Sequence, residues 1–193
     1  MTAPEYSKSL VSRKSMLRSI FLVVLICLAS NWLSAQPSPS APRWDAFKFL
    51  IGEWVGEGTG APGEGTGGFT FSLDLQNTVL VRKNYADYPA TKDRPAFRHD
   101  DLMIVYQEGG KTRAIYFDNE QHVINYGVTV ASDSNSIVFV SDAVASMPRF
   151  RLTNTKAGND KIVITFEVAP PGKPEAFARY IGATARRRQP TQH

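Results

Sequence analysis

Residues 49–60 determine the expected fold, and they read Phe49-Leu50-Ile51-Gly52-Glu53-Trp54-Val55-Gly56-Glu57-Gly58-Thr59-Gly60. Successive side chains of a β-strand point to opposite faces, so Trp54 shares a face with the glycines that follow it at every second position. If that face turns inward, Trp54 closes one end of a barrel and the glycines leave space for a ligand or for close backbone approach. Alternatively, residues 56–68 form only a loop, because Ala61-Pro62-Gly63 has loop chemistry.

The rest of the folded part contains short strand patterns and no long stretch with helical periodicity. Runs rich in β-branched and aromatic residues cover 52–58, 68–76, 79–88, 101–108, 111–118, 122–131, 136–141, 149–155, 161–168 and 177–187. Turn residues such as Gly109-Gly110 and Asp118-Asn119 join neighbouring runs, as in antiparallel hairpins. We therefore predict an all-β fold, a single up-and-down antiparallel ten-stranded barrel whose closure removes exposed edges. Residues 44–50 predict a short helix before the first strand.

This combination resembles the calycin barrels, and most closely the nitrobindin-like haem-binding β-barrel family. Four features carry the resemblance over residues 44–188: the Gly52-x-Trp54 motif, the alternating glycines, the ten strands and a last strand that bears arginines. The resemblance implies a barrel whose interior holds a small ligand. It also implies that Trp54 lies beneath an arginine of the last strand. We choose Arg186 over Arg187, because Arg186 falls on the same alternating face as Thr184.

Haem is the cofactor that the nitrobindin-like resemblance raises. In that family a histidine near the start of the last strand binds the haem iron, but residues 174–188 contain no histidine. Tyr180 is an alternative iron ligand, as tyrosine is in some haem proteins. Because the family ligand is missing, we predict no cofactor.

The first 35 residues have the layout of a secretory signal peptide. A basic start (Lys8, Arg13, Lys14 and Arg18) precedes an apolar run at 20–29, and Leu33-Ser34-Ala35 offers a cleavage site. The apolar run is shorter than the roughly 20 residues that span a membrane, so we predict no permanent membrane anchor. Residues 36–43 read as a flexible tether, 44–188 as the barrel domain and 189–193 as a disordered tail. The expected location is extracytoplasmic, either periplasmic or secreted.

Charge and cysteine content exclude several classes of function. Without residues 1–35 the chain keeps 18 basic and 17 acidic residues of its 22 and 18, a formal charge of +1. A nearly neutral domain lacks the basic surface of a nucleic-acid-binding protein. The single cysteine, Cys27, lies in the apolar run. The exported part therefore cannot use disulfides, thiol catalysis or cysteine metal ligands.

Polar residues within the strand patterns predict the ligand site. Arg82 and Asn84 share a face of the third strand, whereas Arg82 and Tyr85, a pair that would suit a carboxylate, fall on opposite faces. We predict that Arg82 and Asn84 line the interior, together with Tyr116, His122 and Tyr126. The expected partner is a small apolar or amphipathic ligand.

The histidines leave other chemistries open. His122 with Asp118 or Glu120, and with His99 across the sheet, has the residue types of a metal site. His122 oriented by Asp118 has those of a general base. Because Asp118 also suits an ordinary hairpin turn, we assign no catalytic residue and no metal. The alternatives to ligand binding are a haem-dependent or histidine-based isomerase or hydrolase of the nitrobindin-like kind, and a packed barrel that acts as a surface interaction module.

The signal peptide gives the first testable prediction. N-terminal sequencing of exported protein should begin at Gln36, because Ala35 is the last small residue before the tether. A mature form that retains residues 20–35 in the membrane fraction would contradict both the cleavage and the location.

Overall fold

A computed structural model of the chain describes residues 44–57 and 65–189. The predicted signal peptide, the tether and all but the first residue of the predicted tail lie outside the described residues, as do Gly58 and Gly60. Within the described ranges, no helix combines the length and the apolar character that crossing a membrane requires.

Ten strands follow one short 3-10 turn at Asp45–Phe47. The strands are β1 (Gly52–Gly56), β2 (Thr66–Asp74), β3 (Val79–Tyr88), β4 (Phe97–Glu108), β5 (Lys111–Asp118), β6 (Val123–Val130), β7 (Ser136–Ser141), β8 (Arg149–Lys156), β9 (Lys161–Ala169) and β10 (Ala178–Arg187).

The strands form a closed barrel in which each strand pairs antiparallel with its neighbours in sequence. The first and last strands close the ring, since Trp54 lies opposite Arg187 and Gly56 opposite Ala185. The predicted all-β, up-and-down, ten-stranded architecture is therefore confirmed, and it is consistent with a calycin-like fold. We call the end at which β1 begins the floor and the opposite end, at which β4 begins, the mouth.

Three predicted strands, at 79–88, 111–118 and 136–141, have the observed bounds, whereas β4 begins four residues earlier than predicted. The missed residues, Phe97-Arg98-His99-Asp100, are mostly polar and do not read as a strand alone. Their partners on β3 explain their conformation: Phe97 stacks on Tyr88 with centroids 6.0 Å apart, and Arg98 pairs with Asp87. Cross-strand pairs of this kind stabilise a sheet independently of local propensity.

Trp54 fills the floor of the barrel. Its side chain is only 2% exposed, stacks on Phe69 with centroids 6.1 Å apart and donates a hydrogen bond of 2.8 Å from Nε1 to the Leu50 carbonyl. The chain before β1 covers the floor from below, because Phe47 and Leu50 are buried against the same core. The predicted short helix is thus a 3-10 turn that seals one end.

The arginine above Trp54 is Arg187, and the prediction of Arg186 is wrong. The Arg187 guanidinium lies 4.3 Å from the indole centroid, whereas Arg186 pairs with Glu57 on the outer face. An irregularity in the pairing of β10 with β9 lies between Arg179 and Ile181. Beyond it the pairing is continuous, so the error lay in the choice of inward face: Ala183, Ala185 and Arg187 face inward, and Thr184 and Arg186 face outward.

Gly52 makes room for this arginine. Its φ of +127° is rarely adopted by other residues, and a Cβ there would lie 2.3 Å from Arg187 Nη1. The guanidinium passes this point to donate hydrogen bonds to the carbonyls of Ile51 (2.5 Å) and Phe49 (3.0 Å). The Gly52-x-Trp54 motif therefore combines a backbone position that admits the arginine with the ring that the arginine covers.

Substitutions at the floor test this arrangement. Trp54→Ala should lower the free energy of unfolding by about 3–5 kcal/mol, as a buried aromatic deletion. Arg187→Ala should cost roughly 1–3 kcal/mol through its lost cation–π contact and hydrogen bonds. The matched control Arg186→Ala removes an exposed ion pair and should cost about 0–1 kcal/mol. Chemical denaturation measures all three, and a larger loss for Arg186→Ala than for Arg187→Ala would contradict the assignment.

Candidate functional site

Large apolar side chains line one side of the barrel interior without being sealed from solvent. They lie on the inward face of β8, β9 and β10 and form what we call the apolar wall: Phe150, Leu152, Ile164, Phe166, Ile181 and Ala183. All are half-buried or exposed, and Ile181 is 39% exposed. Ala183 is exposed in mid-strand, although two residues further on Ala185 is fully buried.

This accessibility is confined to the half of the barrel nearer the mouth. Toward the floor the inward residues are fully buried, among them Leu80, Ile137, Phe139 and Ile162. In the described residues β1 pairs with β10 only up to Thr184, so solvent reaches Ile181 and Ala183 along this edge of β10 as well as from the mouth. The interior is packed at the floor and accessible above it.

Polar side chains line the opposite side, on the inward faces of β3, β4 and β5. We call this set the polar wall: Arg82, Asn84, His99, Asp101, Tyr116 and Asp118. At its centre the Asp101 carboxylate, 4% exposed, accepts hydrogen bonds from Arg82 Nη1 (2.5 Å) and Asn84 Nδ2 (2.7 Å). The Arg82 guanidinium also lies over the ring of Phe69, 5.6 Å from its centroid.

His99 lies between two carboxylates, that of Asp101 in the polar wall and that of Glu120 at the rim. Its Nδ1 lies 2.8 Å from a carboxylate oxygen of Glu120, and its Nε2 lies 3.4 Å from Asp101 Oδ2 and 3.2 Å from the Tyr116 hydroxyl. The hydrogen bond with Asp101, aided by that with Glu120, outweighs burial and raises the pKa of His99 to about 9. His99 is therefore an imidazolium at neutral pH.

Asp118 gathers the end of β5 and the turn that follows it. Its Oδ1 accepts the backbone N–H groups of Glu120 (3.0 Å) and His122 (2.9 Å), and its Oδ2 accepts the Tyr116 hydroxyl (3.1 Å) and contacts His122 Nδ1 (2.8 Å). Burial acts to raise the pKa of Asp118, but the hydrogen bonds from His122 and Tyr116 outweigh it and hold the pKa below its usual value. Burial, with Asp101 and Asp118 nearby, raises the pKa of Tyr116 well above the ordinary value for tyrosine.

The structure brings most of the predicted ligand-binding residues into this wall. Arg82 and Asn84 meet at Asp101, while Tyr116 and His122 meet at Asp118. Tyr126 lies deeper, 3% exposed, with its ring edge-on to Tyr116 and Phe139. Tyr85 lies on the outer face beneath the Arg98 guanidinium, 4.8 Å away, as strand parity predicts.

The sequence analysis gave Asp101 no role, and it considered His99 and Asp118 only in the metal-site and general-base alternatives. Beginning the strand at residue 101 placed His99 outside it. The alternation of Phe97, His99, Asp101 and Met103 carried the signal, since residues at every second position share a face.

Two known cofactor chemistries can be compared with these residues. His99, Asp118 and Glu120 present ligand atoms within 4.8 Å of one another and so have the geometry to hold a metal ion. The metal would have to displace the His99 proton and break its bond to Glu120. Haem fits poorly: Tyr180 is 72% exposed against the edge of Phe166, whereas an iron ligand must project into an enclosed pocket.

A second feature at the mouth is a cleft of about 510 Å³. It is lined by Thr66, Asp87, Tyr88, Pro89, Ala96, Phe97 and Arg98. These residues surround the stacked Tyr88 and Phe97 rings and do not include the predicted ligand-binding residues. The cleft marks the rim beside the polar wall.

Comparison with protein-family models finds no match, and comparison with curated protein sequences finds no significant one.

The raised pKa of His99 predicts a pH-dependent stability. The pKa of His99 is higher in the folded protein than the value of 6.5 in the unfolded chain. Protonated His99 therefore contributes its full stabilisation below pH 6.5, and this stabilisation is lost as the pH rises through about 9. The free energy of unfolding should therefore fall by up to about 3 kcal/mol over this window. His99→Gln should be less stable at low pH and should lose most of that pH dependence. Denaturant titrations across the window measure both, and equal slopes in the two proteins would contradict the assignment.

Proposed function

We propose that this protein is an exported β-barrel that binds a small apolar or amphipathic molecule in its interior. The observation that carries the proposal is the apolar wall, whose inward-facing side chains remain accessible in a closed barrel. Apolar surface of this kind gains free energy when a ligand removes it from water. Concave apolar sites with a few convergent polar groups are the usual form of small-molecule sites.

The arrangement of the two walls supports an amphipathic ligand in particular. In the ring of ten strands, β4 at the centre of the polar wall stands five places from β9 at the centre of the apolar wall in either direction. The walls therefore face each other across the interior. A molecule that enters from the mouth can place its apolar body against Ile164 and Phe166 and its polar head against the opposite side.

A relationship to the nitrobindin-like barrels agrees with this proposal at the level of a ligand-holding interior. It does not extend to haem chemistry. Beyond Tyr180 the inward face of β10 carries Ile181, Ala183 and Ala185, none of which can bind iron. We therefore propose a ligand other than haem.

The Asp118 and His122 pair favours a second candidate, histidine-based proton transfer on the bound ligand. Asp118 is 3% exposed and contacts Nδ1 of His122, whose side chain is 59% exposed at the mouth. A buried carboxylate that orients an accessible imidazole is the arrangement of a general base. The same carboxylate also closes the turn through two backbone N–H groups, so the pair has a structural role without catalysis.

Filling the interior tests the binding proposal. Titration with the neutral fluorescent probe N-phenyl-1-naphthylamine should give saturable one-to-one binding to the folded protein. Ala183→Trp should weaken this binding at least about tenfold, equivalent to about 1.4 kcal/mol, because the indole occupies the ligand's place against the apolar wall. The matched control is Val55→Trp, which adds the same ring on the outer face, where Val55 is 36% exposed.

Both variants should keep the wild-type thermal transition within a few degrees. Binding by Ala183→Trp that equals that of wild type would place the site elsewhere. If wild type does not bind the probe at all, the remaining function is that of a packed surface module.

A further inference from the structure

We propose that the interior selects amphiphiles whose head group donates hydrogen bonds, an amine first and an alcohol second, and that it rejects carboxylates. The inference rests on the proposed function and names the ligand class that the site accepts. Its basis is the charge balance and hydrogen bonding of the polar wall.

The polar wall, taken with the neighbouring Glu120 and His122, contains no surplus of positive charge. Their acidic groups are Asp101, Asp118 and Glu120, and their cations are Arg82 and the His99 imidazolium. With His122 neutral, the five charged groups sum to one negative charge, and with His122 protonated they sum to zero. In neither state does the wall offer an uncompensated cation to an entering carboxylate.

Arg82 is the residue from which a carboxylate-binding site would be built, and it is already occupied. Its Nη1 is 2.5 Å from Asp101, both side chains are nearly buried, and Asn84 donates to the same carboxylate. A ligand carboxylate would have to displace Asp101, which would then remain buried without its partner. Leaving one charge of a buried pair unpaired is strongly unfavourable.

Of the other arginines near the mouth, three are paired on the outer face, and Arg94 and Arg179 are exposed. Arg98 binds Asp87 and Asp100, Arg149 binds Glu175, and Arg151 binds Glu167. Arg94 lies over the Tyr88 ring on the rim loop, and its residue is exposed, so water screens its charge. None of these compensates a carboxylate inside the barrel.

The polar groups that an entering head group meets are those exposed at the mouth. The Glu120 side chain is 44% exposed and the His122 side chain is 59% exposed, whereas Asp101 and Asp118 are almost fully buried. The Glu120 carboxylate accepts hydrogen bonds from an entering head group. An ammonium head therefore gains hydrogen bonds and opposite charge, a hydroxyl gains the hydrogen bond alone, and a carboxylate gains neither.

A chain-matched series separates these heads. Decylamine and decanol have ten-carbon tails and decanoate a nine-carbon tail, whose missing methylene accounts for only about fourfold in affinity. Near neutral pH the three are cationic, neutral and anionic. In competition with N-phenyl-1-naphthylamine, decylamine should bind about tenfold or more tightly than decanoate, with decanol between them. Decanoate binding as tightly as decylamine overturns the inference while leaving the binding function intact. Failure of all three to displace a bound probe also overturns it, and absence of probe binding defeats the proposed function itself.

One substitution tests the role of the rim carboxylate. Glu120→Gln should reduce the affinity for decylamine severalfold and leave that for decanol within about twofold. The matched control is Glu108→Gln, because exposed Glu108 ends β4 at the floor and the change removes the same charge far from the mouth. An equal loss for all three ligands in Glu120→Gln, or the same loss of decylamine affinity in both variants, overturns head-group recognition by Glu120.

Discussion

The contact between Arg187 and Trp54 is the constraint on which the rest of the barrel depends. The guanidinium covers the indole at 4.3 Å and donates to the carbonyls of Phe49 and Ile51, so it ties the last strand to the chain that enters the first. Closing β1 onto β10 joins residues more than 130 positions apart, and that loop closure costs entropy. This cost is offset at one place by a buried aromatic ring, a cation over its face and two carbonyl acceptors. Gly52 is the backbone position that lets all three coexist.

A sealed floor has consequences for the other half of the barrel. Because the core is complete around Trp54, Phe71 and Ile137, the inward residues near the mouth do not need to pack against one another to hold the strands in place. Within the packed half, opposite Ile137, the buried Asn154 amide nitrogen has no hydrogen-bond partner in the described residues. The floor stabilises the fold, and the upper half is available for recognition.

Sequence patterns were sufficient to predict the architecture and part of the polar wall, but not the remaining site residues. Hairpin turns and alternating apolar residues are local signals, so the ten strands and the shared face of Arg82 and Asn84 could be predicted. The choice between Arg186 and Arg187 could not, because each face of residues 181–187 combines small side chains with one arginine, so composition does not mark the inward face. His99 was considered only as a metal ligand and not as part of a strand, because its part of β4 is held by cross-strand partners on β3. Which carboxylate pairs with Arg82 depends on the register between β3 and β4, and the sequence of neither strand alone determines that register.

The polar wall shows how a largely enclosed surface can carry several charges and still be stable. Each buried charge has a partner: Asp101 holds Arg82 and lies near His99, while Asp118 holds its own turn, Tyr116 and His122. Because isolated charges are costly in a low-dielectric interior, such a network has little attraction left to give to a ligand of either sign at its centre. We therefore expect a ligand's head group to contact the side chains that remain accessible at the rim. We propose that the accessible rim carboxylate of Glu120, and not the buried Arg82, selects the head groups that enter the barrel.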